Sequence, residues 1–325
     1  MATRRFMVLS GLVPLAALVG AGAHGLAVAQ AAPDHQFINI LTAGRGGIFY
    51  PLGGALSGIF ARIPGTRPSV QATKGSVENL NLMQQGRGEV AFCQGDALAY
   101  AWAGNADAGF KTKLDNLRGI AALYPSFIQI VATKESGIKT FADLKGKRLS
   151  VGAVRSGTEL TTRTLFKAAG MTYQDLGKVA YLPFEESVDL MKNRQLDATL
   201  QTAGLGVPAI LDIANSFSVV LVAIAPGIVD KAPPPYQRAV VPKGTYRGQD
   251  TDIPAAGLPN YLVTRADLPT ELVYNMTKAM FESTAELAGA HPAGAGISLQ
   301  HAMDGMPIPL HPGAQKYYKE KGLLR

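Results

Sequence analysis

Phe37-Ile38-Asn39-Ile40-Leu41-Thr42 is an apolar run that passes into Ala43-Gly44-Arg45-Gly46-Gly47-Ile48-Phe49-Tyr50. Pro51 then opens a stretch in which Leu52, Leu56, Ile59, Phe60 and Ile63 recur on one helical face, until Pro64-Gly65 stops it. The reading is a strand, a glycine-rich loop and a helix. The plan repeats when Val70 to Thr73 leads into a helix over Ser76 to Gln85, and again when Val90 to Gln94 leads into a helix over Asp96 to Trp102. Three such units in succession predict a mostly parallel sheet covered by helices. A second series begins after a strand at Phe127 to Thr133. Strands at Arg148 to Gly152, Val179 to Leu182 and Ala198 to Gln201 alternate there with helices at Gly157 to Ala169, Phe184 to Asn193 and Val207 to Ala214. The Pro-rich stretch Pro226 to Pro235 ends that series, and a strand at Tyr261 to Thr264 and a helix over Pro269 to Leu287 follow. The expected fold is therefore α/β and two-lobed, with lobe I over residues 37–125 and 226–325 and lobe II, residues 126–225, inserted into it. In open α/β sheets ligands bind beyond the carboxyl ends of the strands, near helix N-termini, so a ligand cleft is expected between the lobes.

Composition narrows the function. A chain of 325 residues that is 47% hydrophobic and 17% charged can bury real cores and is not a disordered one. The net charge of +7 is spread without a Lys/Arg run, and only 7% of residues are aromatic, which argues against nucleic acid and leaves anionic small ligands open. A lone cysteine, Cys93, excludes an intrachain disulfide and a multi-cysteine zinc site. Arg4 and Arg5 precede an apolar, Gly/Ala-rich stretch from Phe6 to Ala23, and Ala27-Val28-Ala29 follows with the small residues of a cleavage site. Residues 1–29 thus read as a cleaved secretory signal peptide rather than a membrane anchor, and the expected location of the mature chain is the periplasm.

Chemistry is expected in the loops. The three glycines of the first loop can turn backbone amides toward an anion or simply form a tight turn; the turn reading leaves Arg45 and Tyr50 unexplained. Ser76 is a good N-cap, and with Asn79 it lies on a first helical turn, where the dipole favours a carboxylate. Ser156-Gly157-Thr158-Glu159 fits a capping box, which accounts for Ser156 and Glu159 but not for Thr158 or Arg155. Arg45 and Arg155 occupy equivalent loops of the two lobes, and arginine suits bidentate carboxylate pairing. Gln94 and Asp96 follow the third strand, as cleft-floor contacts or as a helix cap. The first loop is not a G-x-G-x-x-G fingerprint, since its third glycine would fall at Phe49, and no P-loop, G-x-S-x-G or H-x-x-x-H pattern is present, so no metal site, cofactor or catalytic residue is expected.

The run Gly44-Arg45-Gly46-Gly47-Ile48-Phe49-Tyr50-Pro51-Leu52-Gly53-Gly54, with Thr73-Lys74-Gly75-Ser76-Val77-Glu78-Asn79-Leu80, resembles the TAXI family of TRAP-transporter solute-binding proteins. Ser136-Gly137-Ile138-Lys139, Asp143 to Arg148, Ser156 to Glu159 and His311-Pro312-Gly313-Ala314 through Tyr317-Tyr318 agree with it, so the resemblance spans about Ile38 to Gly322. It implies a fold like that of type II periplasmic binding proteins and a receptor that closes on a small organic anion and delivers it to an ion-gradient-driven TRAP permease. It also implies that Gly46, Gly47, Tyr50, Ser76, Asn79, Ser156, Gly157 and Thr158 hold the ligand's carboxylate. Arg45 and Arg155 depart from the family's small residues, and Phe49 replaces a common Tyr; the added charge predicts a second carboxylate on the ligand, as in a dicarboxylate or glutamate-like compound. The alternatives are the binding protein of an ATP-driven importer, with the same fold, and a secreted enzyme using Glu159 or Asp96 as a base.

Overall fold

The computed structural model describes residues 36–325, so the expected leader over residues 1–29 lies outside the described residues. The strands are β1 (Gln36–Leu41), β2 (Thr66–Gln71), β3 (Val90–Gln94), β4 (Leu117–Thr133), β5 (Arg148–Ser150), β6 (Lys178–Ala180), β7 (Ala198–Ala203), β8 (Val219–Val222), β9 (Gln237–Val241) and β10 (Ile253–Arg265). They share a sheet in the order β2-β1-β3-β10-β4-β7-β5-β6, with β8 beside β4 and β9 beside β10. The helices are α1 (Phe49–Phe60), α2 (Ser76–Gln84), α3 (Gly95–Ala103), α4 (Gly157–Ala168), α5 (Phe184–Lys192), α6 (Pro208–Ser216), α7 (Pro226–Val229), α8 (Thr270–Glu282), α9 (Thr284–Ala290) and α10 (Pro312–Glu320).

The two lobes expected from the repeated units are present. β1 pairs in parallel with β2 and β3 in one, and β5 pairs in parallel with β6 and β7 in the other. Every residue of β3 and β7 is buried, as parallel strands covered on both faces should be, whereas β2 alternates between half-buried and exposed and carries Pro68 at the sheet edge. The middle of the sheet departs from the parallel expectation, because β10 runs antiparallel to both β3 and β4, and β4 antiparallel to β7. β4 spans 17 residues, and its two ends serve different lobes: Leu117 to Ala122 face the C-terminal part of β10, and Phe127 to Ala132 pair with β7. β10 crosses in the same way, with Ile253 to Gly257 against β9 and Asn260 to Thr264 against β3. The sequence reading saw only Phe127–Thr133 and Tyr261–Thr264 of these strands, since Gly119, Pro125, Pro254, Gly257 and Pro259 break an otherwise apolar pattern.

Val229 and Tyr236 bury with Ile128, Leu149, Leu200 and Ala256 in the cluster that fills one face of the β5–β7 lobe. That packing sets α7 and Tyr236, which the sequence reading assigned to lobe I, against β5 and β7. The helix expected over Pro269 to Leu287 is interrupted at Ser283, which separates α8 from α9.

β1, β2, β5 and β6 each hand over through a loop to a helix start, those of α1, α2, α4 and α5. Phe49 stacks on Phe92, ring centroids 5.1 Å apart, which fixes the start of α1 against β3. At the end of β5, Gly152 has φ +95°, and a Cβ there would lie 2.8 Å from Thr158 Cβ and 2.9 Å from the Glu159 nitrogen. Only glycine lets the chain fold the first turn of α4 back over the strand, where Thr162 Oγ1 donates to the Val151 carbonyl at 3.0 Å. Gly152→Ala is expected to cost about 2 kcal/mol of stability, from the positive φ and the overlap together. Denaturant unfolding of the variant beside the wild type measures it, and an unchanged midpoint would contradict this account of the loop.

Candidate functional site

A cavity of about 90 Å³ lies where the strand ends of the two lobes face each other. The β1–β3 lobe contributes Ala43, Gly44, Gly47, Ile48 and Phe49 from the glycine-rich loop, Thr73 to Ser76, and Gln94. The other lobe contributes Ala153, Ser156 to Thr158, Pro183, Phe184, Thr202 and Ala203, and Tyr124 lies on β4 between them. One water needs about 10–15 Å³ by the same measure, so the space suits a ligand of roughly six to nine non-hydrogen atoms.

Four helices begin at the cavity wall. The capping positions Ile48, Gly75, Ser156 and Pro183 and the first residues Phe49, Ser76, Gly157 and Phe184 all line it. Of these caps only Ser156 uses its side chain, accepting from the Glu159 N–H at 3.0 Å. The first N–H groups of the other three starts therefore have no intrahelical or capping partner, and four dipoles direct partial positive charge into one space. Ser76 Oγ accepts from the Gln94 N–H at 3.1 Å, so its own proton is free to donate, and the same holds for Ser156. Lys74, exposed at the rim, is the one ionic side chain among the lining residues.

Three lining residues carry buried polar atoms with no protein partner: Gln94 Oε1, Tyr124 Oη and Thr202 Oγ1. Their residues are 2%, 4% and 6% exposed, so a group entering the cavity is the partner these atoms can gain. Burial holds the Tyr124 phenol well above its usual range, so it stays protonated and can donate. The lobes meet tightly here. Gln94 Nε2 donates to the Thr202 carbonyl at 3.3 Å, the Glu78 N–H donates to the Arg155 carbonyl at 3.0 Å, and a Cβ on Gly157 would overlap Gln94 Oε1 and Ser76 Oγ.

Of the residues singled out in the sequence, Gly47, Ser76, Gln94, Ser156, Gly157 and Thr158 are brought together at the cavity. The other six are not among its lining. Arg45 lies 5.4 Å above the Tyr50 ring, so these two engage each other, and the Gly46 N–H donates to Glu185 Oε2 at 3.1 Å. Arg155 is exposed, takes a left-handed φ of 65° and serves through its carbonyl. The two arginines, expected from the sequence to add cationic charge at the ligand, are both absent from the cavity lining.

Asn79 is an internal brace. Its Nδ2 donates to the Thr42 carbonyl at 2.7 Å and the Phe92 carbonyl at 2.9 Å, and its Oδ1 accepts from Thr73 Oγ1 at 2.6 Å. Its exact spacing after Ser76 fits a helix face that turns inward, which a ligand-facing reading of the same spacing could not separate. Asn79→Ala is expected to destabilise the fold by about 2–4 kcal/mol, because buried carbonyls lose their donor. Equilibrium unfolding gives the number, and a variant of wild-type stability would return Asn79 to the list of ligand contacts.

Asp96 is fully buried, with Oδ2 accepting from Tyr236 Oη at 2.5 Å and Thr161 Oγ1 at 3.3 Å, and Oδ1 from the Ala97 N–H at 2.7 Å. Burial raises its carboxyl from 3.8 to about 6, against the lowering effect of those donors. Because the folded value lies above the unfolded one, the protonated form favours the fold. The stabilisation is complete below about pH 4 and is lost as pH rises through about 6, an effect on the order of 3 kcal/mol. Asp96→Asn should remove most of this dependence, and denaturant midpoints at pH 5 and 7.5 for both proteins check it; equal slopes in the two would reject it.

Tyr124, Thr202, Phe184 and Lys74 were not singled out by the sequence. Only Lys74, inside the Thr73-Lys74-Gly75-Ser76 loop, gave a signal that could have found it. Among the described residues no group of three or more His, Cys, Asp or Glu is placed to hold a metal ion, and no helix is long and apolar enough to cross a membrane.

Solved structures share the architecture. PhnD1 of Prochlorococcus marinus, in complex with methylphosphonate, is 10% identical, with 90% of this chain and all of that chain covered at a TM-score of 0.56. The periplasmic binding protein BugD is 12% identical, covering 89% and 94% of the two chains at 0.55. A protein of Bordetella bronchiseptica RB50 is 16% identical, covering 89% and 83% at 0.51. These likenesses establish the two-lobed fold of periplasmic solute-binding proteins. The sequence model of the NMT1-like family matches residues 40–322, and the chain belongs to that family.

Proposed function

We propose that this NMT1-like chain is an extracytoplasmic solute receptor whose cleft closes on a small organic anion carrying one carboxylate and a hydrogen-bond-donating group. The observation that carries this reading is the convergence of four helix starts on one small cavity whose lining residues hold three unsatisfied polar atoms. A carboxylate would accept from the free N–H groups of α1, α2 and α4, the Ser76 and Ser156 hydroxyls and the neutral Tyr124 phenol. Gln94 Oε1 accepts only, so it calls for a hydroxyl or ammonium group on the ligand, as in 2-hydroxy or 2-amino acids. Ile48, Phe49, Phe184 and Ala203 leave the remainder an apolar surface. With Arg45 and Arg155 away from the lining, a second carboxylate has only Lys74 to meet it, which favours a monoanion over the dicarboxylate that the sequence suggested.

Hydroxyls, amides and glycines dominate the lining, and no carboxylate lies among it, which suits binding without turnover. The signal-peptide reading of residues 1–29 supports delivery to the periplasm, and the motif resemblance supports a TRAP permease as the partner. A neighbouring gene for a large multi-spanning permease without an ATPase agrees with that partner; a neighbouring ATPase gene favours an ATP-driven importer.

A thermal-shift screen of the chain from Gln30 onward, against mono- and dicarboxylates, 2-hydroxy and 2-amino acids, phosphonates, sulfonates and sugars, tests the reading. A ligand at 100 times its Kd stabilises the protein by about 2.7 kcal/mol. The expected result is a saturable shift with a small carboxylate that is recovered unchanged. Ser156→Ala and Gln94→Ala should each weaken calorimetric binding about tenfold, as loss of a hydrogen bond to a charged or buried group does. A response confined to sugars, or conversion of the bound compound, would overturn it.

A further inference from the structure

The amides of the glycine-rich loop already hold an anion, and it belongs to the protein. Glu185, in the first turn of α5, accepts from the Arg45 N–H through Oε1 at 3.2 Å and from the Gly46 N–H through Oε2 at 3.1 Å. The loop and α5 lie in different lobes. We propose that Glu185 is the positioning residue that holds the cleft shut, a carboxylate latch seated in the glycine-rich loop of the opposite lobe.

Three observations support the assignment. The glycines fit the carboxylate: a Cβ at Gly44 would lie 3.0 Å from both of its oxygens, and one at Gly46 would lie 2.8 Å from Oε2 and 3.0 Å from the Glu185 nitrogen. Two of the three loop glycines are thereby accounted for by close approach of Glu185. The same lobe grips the loop a second time, since the Gly46 carbonyl accepts from the Ala209 N–H at 3.1 Å. Finally, no Lys, Arg or His side chain forms an ion pair with Glu185 among the described residues, so its hydrogen-bond partners are backbone groups of the opposite lobe.

The latch is coupled to the cavity through the chain. Pro183 and Phe184, the two residues before Glu185, line the cavity, so seating the carboxylate also sets Phe184 against the space. Opening the lobes must unseat both. Apparent affinity scales with the fraction of molecules in the binding-competent state, so weakening the latch lowers affinity without removing a ligand contact. Only this last consequence rests on the receptor reading; the latch itself is tested without any ligand.

Spin labels at Arg87→Cys and Lys145→Cys, exposed positions on opposite lobes, report the interlobe distance by pulsed electron resonance. Cys93 is buried and stays in place. In ligand-free protein, Glu185→Gln should broaden the distance distribution and move it by several ångströms relative to the parent. Its amide would put an N–H₂ against one of the two loop donors. Gly46→Ala should do the same by displacing the carboxylate, and Gly58→Ala, whose Cβ would meet nothing within 4 Å, should leave the distribution unchanged. Amide exchange at Arg45 and Gly46 should rise tenfold or more in Glu185→Gln at unchanged global stability. Wild-type distances and exchange in Glu185→Gln would overturn the latch, while failure of every anion to bind would leave both ligand-free results standing and sink only the receptor reading.

Discussion

The antiparallel pairing of β4 with β10 is the constraint on which the remaining architecture hangs. Both strands run through both lobes, and their register fixes what each lobe's strands can present to the other. β3 meets β10 with Gln94 opposite Asn260, and β7 meets β4 with Thr202 opposite Ile128. Asn260 Nδ2 donates to the Tyr124 carbonyl at 2.9 Å and to Ser126 Oγ at 2.7 Å, tying the two long strands together at the crossing. The three unsatisfied polar atoms thus come from three strands that meet at one place. A shift of register by one residue would turn Gln94 and Thr202 to the opposite faces of the sheet.

The helix starts then set the chemistry of that place. A buried polar atom without a partner costs roughly 1–3 kcal/mol, and three of them on one small cavity represent a deficit that a ligand of matching donors and acceptors relieves. Free N–H groups with aligned dipoles act in the same direction for an anion. Three acidic residues of the first turns are already committed elsewhere: Glu78 accepts from the Lys74 N–H, Glu159 pairs with Arg163, and Glu185 accepts from the glycine-rich loop. They satisfy local donors, and none of the three lines the cavity.

The sequence made the repeating strand-loop-helix units legible because parallel strands and amphipathic helices have strong periods. Ser76, Gly157 and Thr158 were legible for a related reason, since a helix start announces itself through caps and glycines. Asn79 and Arg155 show the limit: spacing assigns a residue to a helix turn or a loop but not to a cavity, and here backbone carbonyls claimed the Asn79 amide while a left-handed φ left Arg155 serving through its backbone. Tyr124 and Thr202 were hidden because they sit inside strands whose side chains read as ordinary core. β4 and β10 were hidden because proline and glycine are breakers in a local pattern, although in an antiparallel ladder a proline need only occupy a position whose donor is not used. Glu185 left no motif at all, as a single acidic residue of a first helical turn is more economically read as a dipole partner.

Pro125 and Pro259 face each other in the β4–β10 ladder, beside the register shift between Pro259 and Tyr261. Neither can donate a ladder hydrogen bond. Elsewhere, bending the sheet stretches donor–acceptor pairs on adjacent strands; along this line there are fewer to stretch. In one hydrogen-bonded sheet of ten strands, this line is therefore where the two long strands have the fewest ladder bonds to each other, so turning one lobe against the other would strain less of the backbone here than along any fully bonded line.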